Sequence, residues 1–183
     1  HILQGHSATI SSVHILTDGY EDKEVAIASA SFDGTVRLWN TSTGDAITTL
    51  AHSASSLDDG EESGGGSSNV SVLSMAATDG RSPTIFTGAA DGSIWAWDVS
   101  TSKPVRRVRS AHSAPVTELA YAKMEASRVI TGSSDNTVKV WDLRQRRPLV
   151  YTFRGHSGAI TALSVEPAWG QVLSGSKDQS LRV

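Results

Sequence analysis

Most of the chain consists of short runs in which apolar and polar residues alternate, as in residues 9–15 (Thr-Ile-Ser-Ser-Val-His-Ile) and 160–165 (Ile-Thr-Ala-Leu-Ser-Val). Residues 25–28 and 116–119 carry shorter versions of the same pattern, and Gly, Asp, Asn, Ser and Pro punctuate the intervals. A period of two places successive side chains on opposite faces of a strand, and the punctuating residues are those that turn a chain. No segment repeats its apolar residues at helical spacing, and none approaches the roughly 18 consecutive apolar residues of a membrane span. The pattern predicts an all-β fold without a membrane-spanning helix.

One ten-residue segment recurs. Residues 31–40 read Ser-Phe-Asp-Gly-Thr-Val-Arg-Leu-Trp-Asn, residues 89–98 Ala-Ala-Asp-Gly-Ser-Ile-Trp-Ala-Trp-Asp, and residues 133–142 Ser-Ser-Asp-Asn-Thr-Val-Lys-Val-Trp-Asp. A fourth copy, residues 176–183, stops one residue before its tryptophan is due. Upstream of the copies stand Gly5-His6, Ala51-His52, Ala111-His112 and Gly155-His156, and the aspartates at 33, 91, 135 and 178 lie 58, 44 and 43 residues apart. Apart from one insertion, this is the roughly 40 to 45 residue period of a four-stranded propeller blade. Asp33-Gly34, Asp91-Gly92 and Asp135-Asn136 read as tight hairpin turns, because Gly and Asn tolerate positive φ.

The Gly-His to Trp-Asp spacing, with the Asp turn between, resembles WD-repeat β-propellers over essentially the whole chain. The resemblance implies four-stranded antiparallel blades, each locked by a buried network of Asp, His, Ser or Thr, and Trp. It places these residues at His6, Ser29, Asp33 and Trp39; at His52, Thr87, Asp91 and Trp97; at His112, Thr131, Asp135 and Trp141; and at His156, Ser174 and Asp178. The chemistry is self-consistent, since carboxylate accepts from imidazole, imidazole from hydroxyl, and hydroxyl from indole. Asn40 departs from the final aspartate of the motif, and alanine precedes two of the histidines.

On this reading residues 1–3 are the outer strand of a preceding blade, 6–50 the first blade, 51–109 the second, 111–154 the third and 155–183 a truncated fourth. The expected whole is a larger propeller of about seven blades; a closed ring of four, with residues 1–3 completing the last blade, is the other arrangement. Residues 53–69 form an acidic, Gly- and Ser-rich insertion with nothing to bury, expected to be a tolerated loop or a partner-binding one. A smaller excursion, residues 17–24, lengthens the first hairpin.

Composition adds three constraints. The 183 residues contain no cysteine, which excludes disulfides, thiolate metal ligands and cysteine nucleophiles. The sequons at Asn40 and Asn69 are short enough to occur by chance, and the expected compartment is intracellular, cytoplasmic or nuclear. Residues 1–100 hold 3 basic and 13 acidic side chains, whereas residues 101–183 hold 13 basic and 6 acidic, so sequential blades predict a laterally polarised disc. The cations gather at Lys103, Arg106, Arg107 and Arg109, and at Arg144, Arg146, Arg147 and Arg154. A solvated rim, an acidic protein partner, and nucleic acid or anionic lipid are the readings of this sector; no interleaved aromatic set to stack bases accompanies it.

Candidate contacts follow. Trp141-Asp142-Leu143-Arg144 resembles the motif by which WD-repeat substrate receptors dock on the damaged-DNA-binding adaptor of cullin-RING ubiquitin ligases, through Asp142 and Arg144, with Arg146 and Arg147 beside it. Phe32 and Lys177 precede turn aspartates on the face that such propellers use for partners. Trp95 stands where other repeats place Arg37, Lys139 and Arg182, and is either inter-blade packing or an exposed contact. Four of the six histidines belong to the blade network, leaving His1 and His14 without a triad or metal set, and Gly64-Gly65-Gly66 lacks the lysine and context of a phosphate loop. No cofactor and no catalysis are expected. The reading is a non-catalytic protein-interaction scaffold or adaptor, with a ribonucleoprotein component contacting RNA as the alternative.

Overall fold

The computed structural model describes residues 1–17, 24–53, 69–80, 82–122, 128–166 and 170–183, with residues 24 and 25 as backbone only. The acidic insertion, from residue 54 to 68, and most of the excursion at 18–23 lie outside the described residues.

The fold is a β-propeller arc. Blade 1 comprises β1 (Ile10–Thr17), β2 (Glu24–Ser31), β3 (Thr35–Trp39) and β4 (Ala46–Ala51); blade 2 comprises β5 (Val72–Ala77), β6 (Thr84–Ala89), β7 (Ile94–Asp98) and β8 (Lys103–Val108). Blade 3 holds β9 (Val116–Ala122), β10 (Arg128–Ser133), β11 (Val138–Asp142) and β12 (Leu149–Phe153), and blade 4 holds β13 (Ile160–Glu166), β14 (Gln171–Ser176) and β15 (Leu181–Arg182). Each blade is an antiparallel sheet with its strands in sequence order, of four strands in blades 1 to 3 and three in blade 4. No helix among the described residues is long and apolar enough to cross a membrane.

The Asp turns join the second strand to the third as anticipated, with positive φ at Gly34, Gly92 and Asn136 and, in blade 4, at Gln179. Residues 1–3, read as the outer strand of a preceding blade, carry no strand in this structure.

Packing between blades is where the alternating pattern is used. The inner strands β1, β5, β9 and β13 pack in succession. Ala28, Val36 and Leu38 of blade 1 meet Val72, Met75 and Ile85 of blade 2; Phe86 and Ile94 meet Val116, Leu119 and Val129; Ile130 and Val138 meet Ile160. Burial of these residues is nearly complete, so each joint draws on the hydrophobic term of about 25 cal/mol per Å². Ile10, Val13 and Ile15, at the corresponding places in blade 1, are half exposed because no blade precedes them in this arc.

A second device ties the joints. The first turn of each inner strand carries a β-bulge, between Ile10 and Ser12, Val72 and Ser74, Val116 and Glu118, and Ile160 and Ala162. A bulge leaves one residue outside the ladder and re-aims its side chain. In blades 1 and 3 that residue bears a hydroxyl that crosses the joint: Ser11 Oγ donates to the Val72 carbonyl at 2.7 Å and Thr117 Oγ1 to the Ile160 carbonyl at 2.6 Å. In blade 2 the bulged residue is Leu73, and its neighbour Ser74 donates to the Val116 carbonyl at 3.2 Å instead.

Close approach at the joints demands small residues on the second strand. A Cβ on Gly88 would fall 2.5 Å from Ser74 Oγ and from Val116 Cγ1, and one on Gly132 2.5 Å from Ile160 Cγ2, whereas one on Gly175 would meet only Ala162 Cβ at 3.6 Å. Gly88→Ala and Gly132→Ala should therefore each destabilise by about 1–3 kcal/mol, the usual penalty of overpacking. Urea denaturation of the two variants against the wild type is the check; midpoints equal to the wild type's would contradict the joint geometry.

Candidate functional site

Three blades carry the network built from one pattern of donors. In blade 1 the His6 Nδ1–H donates to Asp33 Oδ2 at 2.9 Å, the Ser29 hydroxyl donates to His6 Nε2 at 2.8 Å, and the Trp39 indole donates to Ser29 Oγ at 2.8 Å. Blade 3 repeats this with His112–Asp135 at 2.8 Å, His112–Thr131 at 2.7 Å and Trp141–Thr131 at 2.8 Å. Blade 4 has His156–Asp178 at 2.8 Å and His156–Ser174 at 3.0 Å. A neutral imidazole offers one donor and one acceptor, and the carboxylate fixes which nitrogen holds the proton.

A further member of the network escaped the sequence reading. Two residues after each turn aspartate stands a hydroxyl, Thr35, Ser93, Thr137 or Ser180, which donates to that aspartate's Oδ1 at 2.6 Å in all four blades. The invariant spacing was the available signal. Burial alone would raise the pKa of Asp33 and Asp135, but hydrogen bonds from Thr35 and His6, and from Thr137 and His112, outweigh it and hold both carboxyls low. For Asp178 the Ser180 hydroxyl is the main cause of the same depression, against burial and with His156 adding to it.

Blade 2 is built differently, which corrects the expected His52–Asp91 pair. His52 Nε2 takes the Thr87 hydroxyl at 2.7 Å and Trp97 donates to Thr87 at 3.1 Å, yet His52 Nδ1 is buried without a hydrogen-bond partner among the described residues. The cause is Trp95. Its ring lies 5.3 Å from that of Trp97, nearly parallel, and 5.2 Å from His52, edge-on; its indole donates to Ser93 at 3.0 Å. Asp91 turns instead to Arg107 Nη2 at 3.3 Å, and that guanidinium stacks 4.3 Å over Trp95. At 1% exposure Trp95 is inter-blade packing and no partner contact. Burial, opposed by the Gly34 carbonyl and Asp91, pushes the His52 pKa down to about 4.

The remaining candidates lie on two surfaces. Phe32, 47% exposed, and Lys177, exposed, flank turn aspartates on the face of the Asp turns, but in blades 1 and 4 respectively, so they do not converge. Asp142 is buried rather than presented: it receives Arg144 Nε and Nη2, each at 3.0 Å, and Gln145 Nε2 at 3.0 Å, and the Arg144 guanidinium is the main cause of its low pKa. Arg144, Arg146 and Arg147 are exposed in the turn between β11 and β12. Arg106 of β8 reaches that turn, donating to the Arg146 carbonyl at 3.3 Å, so the cations of blades 2 and 3 are brought together. Tyr151 and Phe153 of β12 lie opposite Val140 and Val138 of β11, with ring centroids 4.7 Å apart.

Among the described residues no three His, Asp or Glu side chains gather as a metal site. A family model for the nucleolar protein 10-like N-terminal domain matches residues 7–182, and the chain belongs to that family. No curated protein matches it.

Two outcomes test the networks. Asp135→Ala should cost about 1–3 kcal/mol, since it strands the buried His112 N–H together with the Ser113 amide and Thr137 hydroxyl. Asp91→Ala should cost less, because no histidine depends on it; thermal melts of the two variants compare them directly. His52 is neutral in the folded and unfolded chain at pH 7.5. As the pH falls from about 6.5 toward 4 only the unfolded chain takes up the proton, so stability falls, by on the order of 3 kcal/mol over that window. His112, whose pKa burial also lowers, acts in the same direction. Melting temperature measured from pH 7.5 to 4.5 should drop accordingly and drop less in His52→Gln; a flat wild-type profile would refute the assignment.

Proposed function

We propose that this member of the nucleolar protein 10-like family is a non-catalytic scaffold on which the components of a nucleolar, and hence nuclear, ribonucleoprotein assembly dock. The observation that carries the reading is the division of labour among its polar side chains. The blade histidines, the turn aspartates and their hydroxyls are turned inward and engaged with one another, while Arg109, Arg144, Arg146, Arg147 and Arg154 are exposed at the outer strands and their turns. A rigid frame with a charged periphery suits assembly rather than turnover. The family description supports a nucleolar setting, in which the cationic sector faces RNA and RNA-bound proteins.

Docking on a cullin-ligase adaptor is the weaker reading. It rests on Arg144, whose guanidinium grips Asp142 of its own turn through two hydrogen bonds, an arrangement sufficient to explain why an arginine stands there.

Affinity capture of the full-length protein, wild type against Arg144→Ala, with and without nuclease, separates these readings. The scaffold reading expects a set of proteins that survives nuclease and does not depend on Arg144. Loss of every partner on nuclease treatment would make the chain an RNA-tethered passenger instead, and capture of a cullin adaptor that vanishes with Arg144→Ala would establish the ligase reading.

A further inference from the structure

We propose that Ser110 is a phosphorylation site whose phosphoryl group is received by Lys139 and Arg154, in the cleft where blade 2 passes into blade 3. The proposal goes beyond the scaffold reading and does not depend on it.

The site begins with a surplus of chain. Leu50, Val108 and Phe153 hold equivalent places at the ends of the outer strands, opposite Val36, Ile94 and Val138. One residue separates Leu50 from His52 and two separate Phe153 from His156, but three, Arg109, Ser110 and Ala111, stand between Val108 and His112. His52 and His112 are held alike, each amide donating to the glycine carbonyl of the preceding blade's Asp turn, so the added residues have to turn out of the strand path. Ser110 takes that turn at a φ of 50°, a left-handed conformation uncommon for serine, and is exposed.

What the turn faces is set by the alternation of β12. Thr152 lies opposite Lys139 and Arg154 follows it by two, so Arg154 and Lys139 are on the face of blade 3 that carries Trp141 and packs on blade 2. The cleft therefore lies between two four-stranded blades. Ser110, Lys139, Arg154 and Asp135 line it, around a volume of about 270 Å³. The Lys139 ammonium is already beside the turn, donating to the Ala111 carbonyl at 2.6 Å and keeping two further N–H groups. Arg154 is exposed and makes no ion pair among the described residues, and the same holds for Arg109 next to Ser110. Asp135 does not compete for these cations. Its Oδ2 accepts from His112 and the Ser113 amide, and its Oδ1 from the Thr137 hydroxyl and amide. A hydroxyl set before two cations with donors to spare is a place where a phosphoserine gains charge-assisted hydrogen bonds as soon as it forms.

The transfer needs a kinase and ATP. The Ser110 hydroxyl oxygen bonds to the γ-phosphorus, the bond from that phosphorus to ADP breaks, and the hydroxyl proton passes to the kinase's base. Exposed Arg109 directly before the serine, with Arg106 further back, suits a kinase whose substrate groove is acidic.

The test treats the full-length protein with MgATP and a serine kinase selective for arginine-flanked substrates, maps the product by tandem mass spectrometry and titrates it by phosphorus NMR. A phosphoryl group should appear at Ser110 and be missing there in Ser110→Ala. Its second pKa should lie about one below that of a phosphopeptide of residues 106–114, which titrates near the ordinary phosphoserine value of about 6, because the two cations favour the dianion. Arg154→Gln, at an exposed residue, should move the value part of the way back and Lys139→Gln/Arg154→Gln the whole way, with melting temperatures verifying that each variant is folded. Failure of the folded protein to take phosphate at Ser110 would overturn the proposal. So would a pKa equal to the peptide's, which leaves the phosphate in solvent, or a lowered pKa that neither variant moves, which removes Lys139 and Arg154 as its receivers.

Discussion

The structure depends on one short hydrogen bond, repeated: a histidine Nδ1–H on a turn carboxylate. It fixes the tautomer, the tautomer makes Nε2 an acceptor, and the acceptor orders the hydroxyl that receives the tryptophan N–H. Through four side chains the approach to the first strand, the second strand, the turn and the third strand are held in a single geometry. Because in blades 1 and 3 every donor of the network has an acceptor, these polar groups can be buried at the joints without the penalty that unsatisfied ones would incur. The apolar residues on either side then need only fill space.

That economy explains why so much of the fold is readable in the linear chain. The His, Asp, hydroxyl and Trp positions recur at fixed spacing because the blade admits little variation, and the period of two in β1, β9 and β13 follows from the pleat, which sends successive side chains to opposite faces of the blade. Legibility fails where a residue acts outside its own blade. Ser11 and Thr117 look like ordinary polar positions of a strand; only the bulges, which depend on register, turn them toward the next blade's carbonyls. Arg106 likewise acquires meaning from the Arg146 turn, forty residues away in sequence and adjacent in space.

Blade 2 shows the other limit. Its motif residues match the pattern, and Asp91 nevertheless serves Arg107 and Ser93 rather than His52. The sequence signal was present as a pair, Trp95 on the third strand and Arg107 directly across from it on the fourth, where blade 1 has Arg37 opposite Thr49 and blade 3 has Lys139 opposite Thr152. One position alone could not disclose that the cation stands on the fourth strand and a tryptophan in its place on the third.

The pairing also makes the two positions interdependent. A cation at position 95 would face Arg107 across the ladder with one carboxylate, Asp91, between them, whereas Trp95 without Arg107 would leave that carboxylate without its guanidinium. A change at either position frustrates the other, so neither can be altered alone without loss.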